Sequence, residues 1–396
     1  MLWEKIEKFW RTGLANIKLL RVCSVIVIIF LFCVAGCSNE ENSDSSPSKD
    51  SDSEFMADIG SIKLPESVEE MRGVIQKLGK KGYAAVDSEN QIDMTEASQI
   101  MNFCNQVGQG KRAEVTILVI SYDGGITKYH LKTEGGKVDV DRRYYQYQNE
   151  SLQCTSQEEY PAYSWVYTDD GYLFFQKYHM SGYDGSSGYT ALRVQPLDED
   201  CRDKNRRYIL PVSYKKNNLF LHDWNENDYS DINFYDMFDI LYPLVYGKEM
   251  PYTSEEIDAE GRVYRIPAQE FEKVILSYFN ISIEILRSRI TYFSEENEYE
   301  YRPRGLYDRE PPGIPYPEVT ACVYNSDGTI TLTVHAVYPE ECTGTAFVHE
   351  VTVRPLKDGG VQYVSNRLFP SEDVYEMPWH ANRLTKEQWQ EYYENN

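Results

Sequence analysis

The chain has 396 residues, and 63 Asp and Glu against 40 Lys and Arg leave a formal charge of −23. This length allows two or three domains, each with its own core, and the acidity argues against nucleic acid as a partner because no basic face offsets it. The 33 tyrosines fit pleated surfaces, so an acidic, strand-rich protein is expected.

The N-terminus carries Lys5, Lys8, Arg11, Lys18 and Arg21 ahead of an apolar run from Val22 to Val34. That run has 13 residues, short of the roughly 20 that a membrane-spanning helix needs and right for the core of a signal peptide. It ends in Val34-Ala35-Gly36-Cys37, which resembles the lipobox of bacterial lipoproteins. The resemblance implies cleavage between Gly36 and Cys37, a diacylglyceryl group on the Cys37 thiol, and residence on the extracytoplasmic face of the cell membrane. The alternatives are an uncleaved anchor and an ordinary secretory signal cut near Gly36. Residues 1–36 are thus expected to leave with the signal, and 37–56 to be the lipidated Cys and a tether. Residues 38–56 hold seven Ser, six acids and one Lys, too little apolar surface to offset the entropy of ordering, so disorder is expected there.

Two α+β lobes follow, 57–205 and 206–396, each with helices on an antiparallel meander. Val68, Met71, Val74, Ile75 and Leu78 have helical spacing, and Asp93 with Glu96 fits a variant capping box before a second helix. Six strands are then expected: EVTILVISY, ITKYHLKT, KVDVDRRYYQYQ, YSWVY, GYLFFQKYH and YTALRVQ, with Gly-rich turns between several of them. In the second lobe YILPVSY and NLFLHDW read as a short hairpin, followed by a helix from about Asn233 to Tyr242. The plainest helix is IPAQEFEKVILSYF, with Pro267 in its first turn and Phe271, Val274, Ile275, Tyr278 and Phe279 on one face. It should pack on a sheet made of EVTACVY, TITLTVHAVY, TAFVHEVTVRP and GVQYVSN. The prolines of YRPRGLYDREPPGIPYP keep that stretch out of a central strand. This order of helices and sheet resembles the nuclear-transport-factor-like cone, a likeness that licenses no function.

The lipobox, GYAAVDSENQIDM, CRDKNRRYILPVSYKKNNLFLHDW, IPAQEFEKVILSYF and DGTITLTVHAVY together resemble lipoproteins of Gram-positive gut clostridia that carry a domain of unknown function. The resemblance implies a location and no activity.

Five cysteines remain after export and lipidation: Cys104, Cys154, Cys201, Cys322 and Cys342. They are too sparse for a disulfide framework, and no Cys-x-x-Cys occurs. Cys154 with Cys201 is the expected single bridge, against buried free thiols. Asp223, Asn225 and Asn227 place oxygens at positions 1, 3 and 5 of a calcium-loop pattern, with Asp231 at position 9. Asp228 stands where Gly is needed and Phe234 where the bidentate Glu is needed, so a solvated loop capping the next helix through Asp231 is expected and no cofactor, with a calcium site as the alternative. Strand alternation points His335 outward and His349 inward as a satisfied core histidine, which leaves no histidine metal pair. Nucleophile-elbow, phosphate-loop and zincin signatures are absent, so no catalytic residue is assigned. Alternation also places Tyr163, Trp165 and Tyr167 on one face, either a binding platform or the core. The expected function is a binding or interaction module at the cell surface whose partner is a glycan, a wall polymer or a protein. The alternatives are a surface hydrolase and a structural envelope protein without a small ligand.

Overall fold

The computed structural model describes residues 49–60, 62, 65–148, 151–180, 188–253, 261–369 and 377–394; Gly36, Cys37 and the rest of the leader lie outside them. The protein is α+β, and its chain divides into two compact units between Pro196 and Leu197.

In the first unit α1 (Lys49–Gly60) is a helix where the composition implies a tether. The reason is local. Phe55 and Ile59, one helical turn apart, are both buried, and Phe55 packs edge-on against Tyr83 and Tyr145 under the ammonium of Lys128. A composition averaged over the window hides that pair. Helix α2 (Val68–Gly79) starts at Ser67, whose hydroxyl accepts the Glu70 N–H, and buries Val68, Met71, Ile75 and Leu78 as their spacing requires. Strand β1 (Ala84–Asp87) leads into α3 (Ala97–Gly108). No capping box forms at this helix. Glu96 occupies the N-cap in a left-handed conformation, with φ of 51°, and its side chain caps nothing.

Strands β2 (Ala113–Ile120), β3 (Ile126–Glu134), β4 (Lys137–Gln148) and β5 (Ser151–Pro161) form an antiparallel meander. β1 joins it in parallel beside β2, because α3 supplies the crossover that a parallel pair needs. The expected six-strand meander is therefore two sheets. β5 is an additional strand, a polar edge without alternation, while β6 (Ser164–Tyr167), β7 (Tyr172–Gln176) and β8 (Tyr189–Arg193) pair only with one another. One core joins the two: Leu173, Phe175 and Leu192 pack with Ile100 and Phe103 of α3 and with Ile117 and Leu131 of the larger sheet. The turn after β1 is built by Asp87, whose buried carboxylate accepts the N–H groups of Glu89, Gln91 and Ile92.

The second unit opens with α4 (Glu199–Lys204), which runs into a single π turn over Asn205–Ile209. The hairpin expected from YILPVSY and NLFLHDW does not form. Asn217 is buried and donates to the carbonyls of Val212 and Lys215 while accepting the Leu219 N–H, so this stretch satisfies its main chain by turns. Only β9 (Trp224–Asn225) is extended, at the edge of the main sheet. Helix α5 (Phe234–Tyr246) is capped by Asn233, not Asp231, and α6 (Ala268–Tyr278) begins after Pro267, which closes strand β10 (Tyr264–Pro267). α7 (Ile283–Arg289) and the short strands β11 (Tyr292–Phe293) and β12 (Glu298–Tyr301) follow, with β12 pairing both β10 and β11.

The main sheet, in the order β13-β14-β15-β16-β9, holds β13 (Tyr316–Tyr324), β14 (Ile330–Val337), β15 (Val348–Pro355) and β16 (Val361–Leu368), the four strands expected. α6 packs on this sheet: Tyr278 stacks on Tyr363 of β16, and the neighbouring Phe279 meets the same ring. Helix α8 (Lys386–Tyr393), started by a capping box at Thr385, ends the described chain.

Candidate functional site: a groove between a helix and a sheet

A groove of about 470 Å³ lies between α3 and the strands β2 and β3. Residues Gln99, Asn102 and Gln106 of α3 line one wall; they stand at i, i+3 and i+7 and therefore share a helix face. The adjoining face carries Ile100, Phe103 and Val107 into the core, and the Phe103 ring lies buried beneath the groove. Glu114, Thr116 and His130 complete the lining from the face of β2 and β3 turned away from α3, since Val115, Ile117, Tyr129 and Leu131 face the helix, and Gly82 and Tyr83 form the end.

The hydrogen bonding is uneven. The Gln99 amide donates to the Gly82 carbonyl at 3.0 Å, whereas the Asn102 and Gln106 amides have no protein partner among the described residues. His130 Nδ1 stands 3.1 Å from the Thr116 hydroxyl, and Nε2 stands 3.7 Å from the Glu114 carboxylate. The carboxylate favours the tautomer with hydrogen on Nε2, so that Nδ1 accepts from Thr116. Burial, aided by the charge of Lys132, holds His130 below the ordinary imidazole range. At neutral pH this wall is an uncharged imidazole, a hydroxyl and one carboxylate that is 70% exposed. Together with the two open amides of α3, these groups let the rim of the groove donate and accept hydrogen bonds to an uncharged polar chain.

Of the expected aromatic face, Trp165 and Tyr167 pack against the core, and Tyr163 is exposed with its ring against Tyr178. Trp165 nevertheless touches the groove from behind. Its indole stacks on Phe175 and meets Phe103 edge-on, with ring centres 5.7 Å apart. The groove amides were missed because amides on a helix face read as solvent contacts. Their signal is the i, i+3, i+7 spacing beside an apolar stripe.

The calcium-loop residues turn inward on their own chain. Asp223 accepts the Leu368 N–H at 2.7 Å, Asn225 accepts those of Asn227 and Asp228, and the Asp231 carbonyl accepts from the Asn218 amide. Among the described residues no three His, Cys, Asp or Glu side chains gather as a metal set. His349 is fully buried between the Tyr214 hydroxyl, 2.9 Å from Nε2, and the Asn366 amide oxygen, 2.7 Å from Nδ1; His335 lies on the other face of the sheet. The Cys201 sulfur lies against Cys322, not Cys154, which is exposed on β5.

The second unit also contains a buried ion cluster that the sequence did not disclose. Asp236 of α5 receives Arg304 in a two-pronged contact at 2.8 and 2.9 Å and Arg383 at 2.7 Å. Arg383 also reaches Asp239 at 2.9 Å, and the Tyr301 hydroxyl donates to the other Asp239 oxygen. Arg304 further donates to the Ala381 carbonyl at 2.9 Å, so the cluster fastens the segments around 304 and 381 to α5. Every charge has an opposite partner, which marks a structural clamp.

The fold and its groove thus define an α+β protein of two compact units. The chain belongs to the family of unknown function DUF6070, which residues 54–383 match, from α1 to the arginine that closes the ion cluster. No curated protein and no solved structure matches it.

Proposed function

We propose that the protein is a lipoprotein of a Gram-positive cell, exported through its N-terminal signal, held at the membrane by a diacylglyceryl group on Cys37, and acting there as a binding module. The groove of the first unit takes an uncharged polyhydroxylated chain, a surface or wall glycan. The observation that carries this reading is the pair of open amides, Asn102 and Gln106, on one face of α3. Side-chain amides pair with hydroxyl groups as donor and acceptor at once. The net charge of −23 disfavours anionic polymers as ligands.

The test is calorimetric titration of the chain from residue 38 onward with neutral and anionic glycans. Binding of a neutral glycan that weakens at least about tenfold in Asn102→Ala/Gln106→Ala supports the reading. Unchanged affinity in that variant, or no binding across the panel, removes it. The anchor is tested separately: the mass of the N-terminal peptide from membranes should carry the lipid on Cys37, and Cys37→Ala should release the protein.

A hydrolase would centre on the one run of hydroxyl, imidazole and carboxylate in the groove, Thr116, His130 and Glu114. The 3.7 Å gap and the exposure of Glu114 leave the imidazole poorly oriented for proton transfer, so binding without turnover is the better supported reading. Loss of glycan cleavage in His130→Ala, were any cleavage found, would reverse that preference.

A further inference from the structure

We propose that Cys201 and Cys322 form a disulfide pair that closes on contact with a disulfide-bearing exchange partner. The two sulfurs stand 3.1 Å apart, about 1 Å beyond the S–S bond length of about 2.05 Å. Both belong to the second unit. Cys201 lies on α4, which Asp198 caps through the N–H groups of Asp200 and Cys201, and Cys322 lies on the edge strand β13. The helix and strand are fastened beside the sulfurs, since Asp200 receives both the Lys204 ammonium at 2.8 Å and the Tyr324 hydroxyl from β13. The approach of the thiols is therefore set by the packing of α4 on β13, and closing the bond draws the two sulfurs together by about 1 Å.

Cys201 is buried and Cys322 is half-exposed, so the chemistry has an order. The Cys322 thiolate attacks one sulfur of the partner disulfide and releases the first partner thiol. The Cys201 thiolate then attacks the Cys322 sulfur of the mixed disulfide and releases the second. Two electrons pass to the partner, and its two released thiols take up the two protons. Burial pushes the Cys322 thiol up to about 12 and raises Cys201 as well, so closure is slow at neutral pH and accelerates as pH rises. The bond would tie together residues 121 positions apart and pin the edge of the main sheet.

The test uses the full chain, reduced and freed of reductant, incubated with oxidised glutathione at pH 8.5 and mapped as unreduced peptides after alkylation. The expected product joins the peptides of Cys201 and Cys322, while Cys104, Cys154 and Cys342 take the alkylating reagent. Oxidation should raise the melting temperature of the second unit by about 5–15 °C, a shift absent from Cys201→Ser/Cys322→Ser. Both thiols remaining alkylatable, glutathione staying on Cys322, or a bridge to another cysteine would overturn the pairing. Protein trapped by alkylation in intact cells gives a separate readout. A pair that closes in the tube but is reduced in cells would count against export and leave the pairing standing.

Discussion

Asn90 holds the main chain on both sides of Leu192: its Oδ1 accepts the Arg193 N–H at 2.8 Å, and its Nδ2 donates to the Ala191 carbonyl at 3.0 Å. The residue sits in the Asp87 turn in a left-handed conformation, with φ of 55°, and fastens the larger sheet of the first unit to β8 of the smaller one. Asn is one of the few residues that tolerate this backbone and also carry a donor and an acceptor.

Asn90→Ala should therefore destabilise the first unit by about 2–4 kcal/mol, because it strands the buried Arg193 N–H and the half-buried Ala191 carbonyl and puts in the left-handed region a residue that tolerates it less well than Asn. Asn90→Gly, which relieves only the backbone part, should recover about 1 kcal/mol of that loss. Urea unfolding followed by Trp165 emission measures both. Equal stability of the two variants would show that the backbone conformation carries no cost.

Phe55→Ala should free α1 without unfolding the sheet. The ring contacts Tyr83 and Tyr145, and α1 makes a further side-chain attachment through Asp58, which receives the Tyr83 hydroxyl at 3.1 Å and the Lys81 ammonium. Limited proteolysis should cut the variant within residues 49–60 at least about tenfold faster than the parent, with little change in the main unfolding transition. Unchanged cleavage would mean that Ile59 and the Asp58 contacts suffice to hold the helix.

What could be read in the sequence follows from how locally each feature is encoded. α2, α6, β14 and β15 carry a repeating apolar period, so their faces could be assigned: Phe271, Val274, Ile275 and Tyr278 are all buried where the spacing puts them, whereas β13 loses its alternation at a bulge after Val319. β5 carries no period because it is a polar edge, and 210–223 folds through the side chain of Asn217, which no pattern discloses. α1 depends on two apolar residues in an otherwise acidic stretch. The groove needs residues from α3, β2 and β3, and the ion cluster needs residues near 236, 304 and 383. Such sites exist only after folding, whereas the His349 environment was half legible, its inward direction from alternation and its partners Tyr214 and Asn366 not.

Arg383→Met should be among the most damaging single changes in the second unit, at about 3–5 kcal/mol, since it takes a cation from the buried Asp236 and leaves the half-buried Asp239 without its own. Burial already pushes the Asp239 carboxyl up, and removing Arg383 deletes the charge that pulls it down. A carboxyl whose folded pKa is raised binds its proton more tightly in the folded state than in the unfolded, so stability falls as pH rises through the unfolded value. The loss in Arg383→Met should accordingly be smaller at pH 5 than at pH 8, which paired urea titrations at the two pH values would reveal. An equal loss at both would indicate that Asp236 and Arg304 rearrange to shield Asp239.

His349 gives the second unit a pH dependence of opposite sign. The Asn366 amide nitrogen donates to the His222 carbonyl at 2.8 Å, which turns its oxygen toward His349; Nδ1 therefore carries the hydrogen and Nε2 accepts from the Tyr214 hydroxyl. This network is complete for a neutral ring, and burial holds the folded pKa at about 4. The unfolded ring titrates at about 6.5, so between these values the unfolded state gains a proton that the folded state refuses. Stability is thus full above about pH 6.5 and declines as pH falls toward about 4, with about 2 kcal/mol already lost at pH 5. His222, also lowered mainly by burial, adds a loss of the same sign. In His349→Gln the parent stability near pH 8 should fall, because a buried network is disturbed, yet the decline from pH 7 to pH 5 should shrink to the part due to His222. Urea titrations at half-unit pH steps, read by the emission of Trp224 and Trp379, decide the matter: an undiminished decline in the variant would assign the acid sensitivity to groups other than His349.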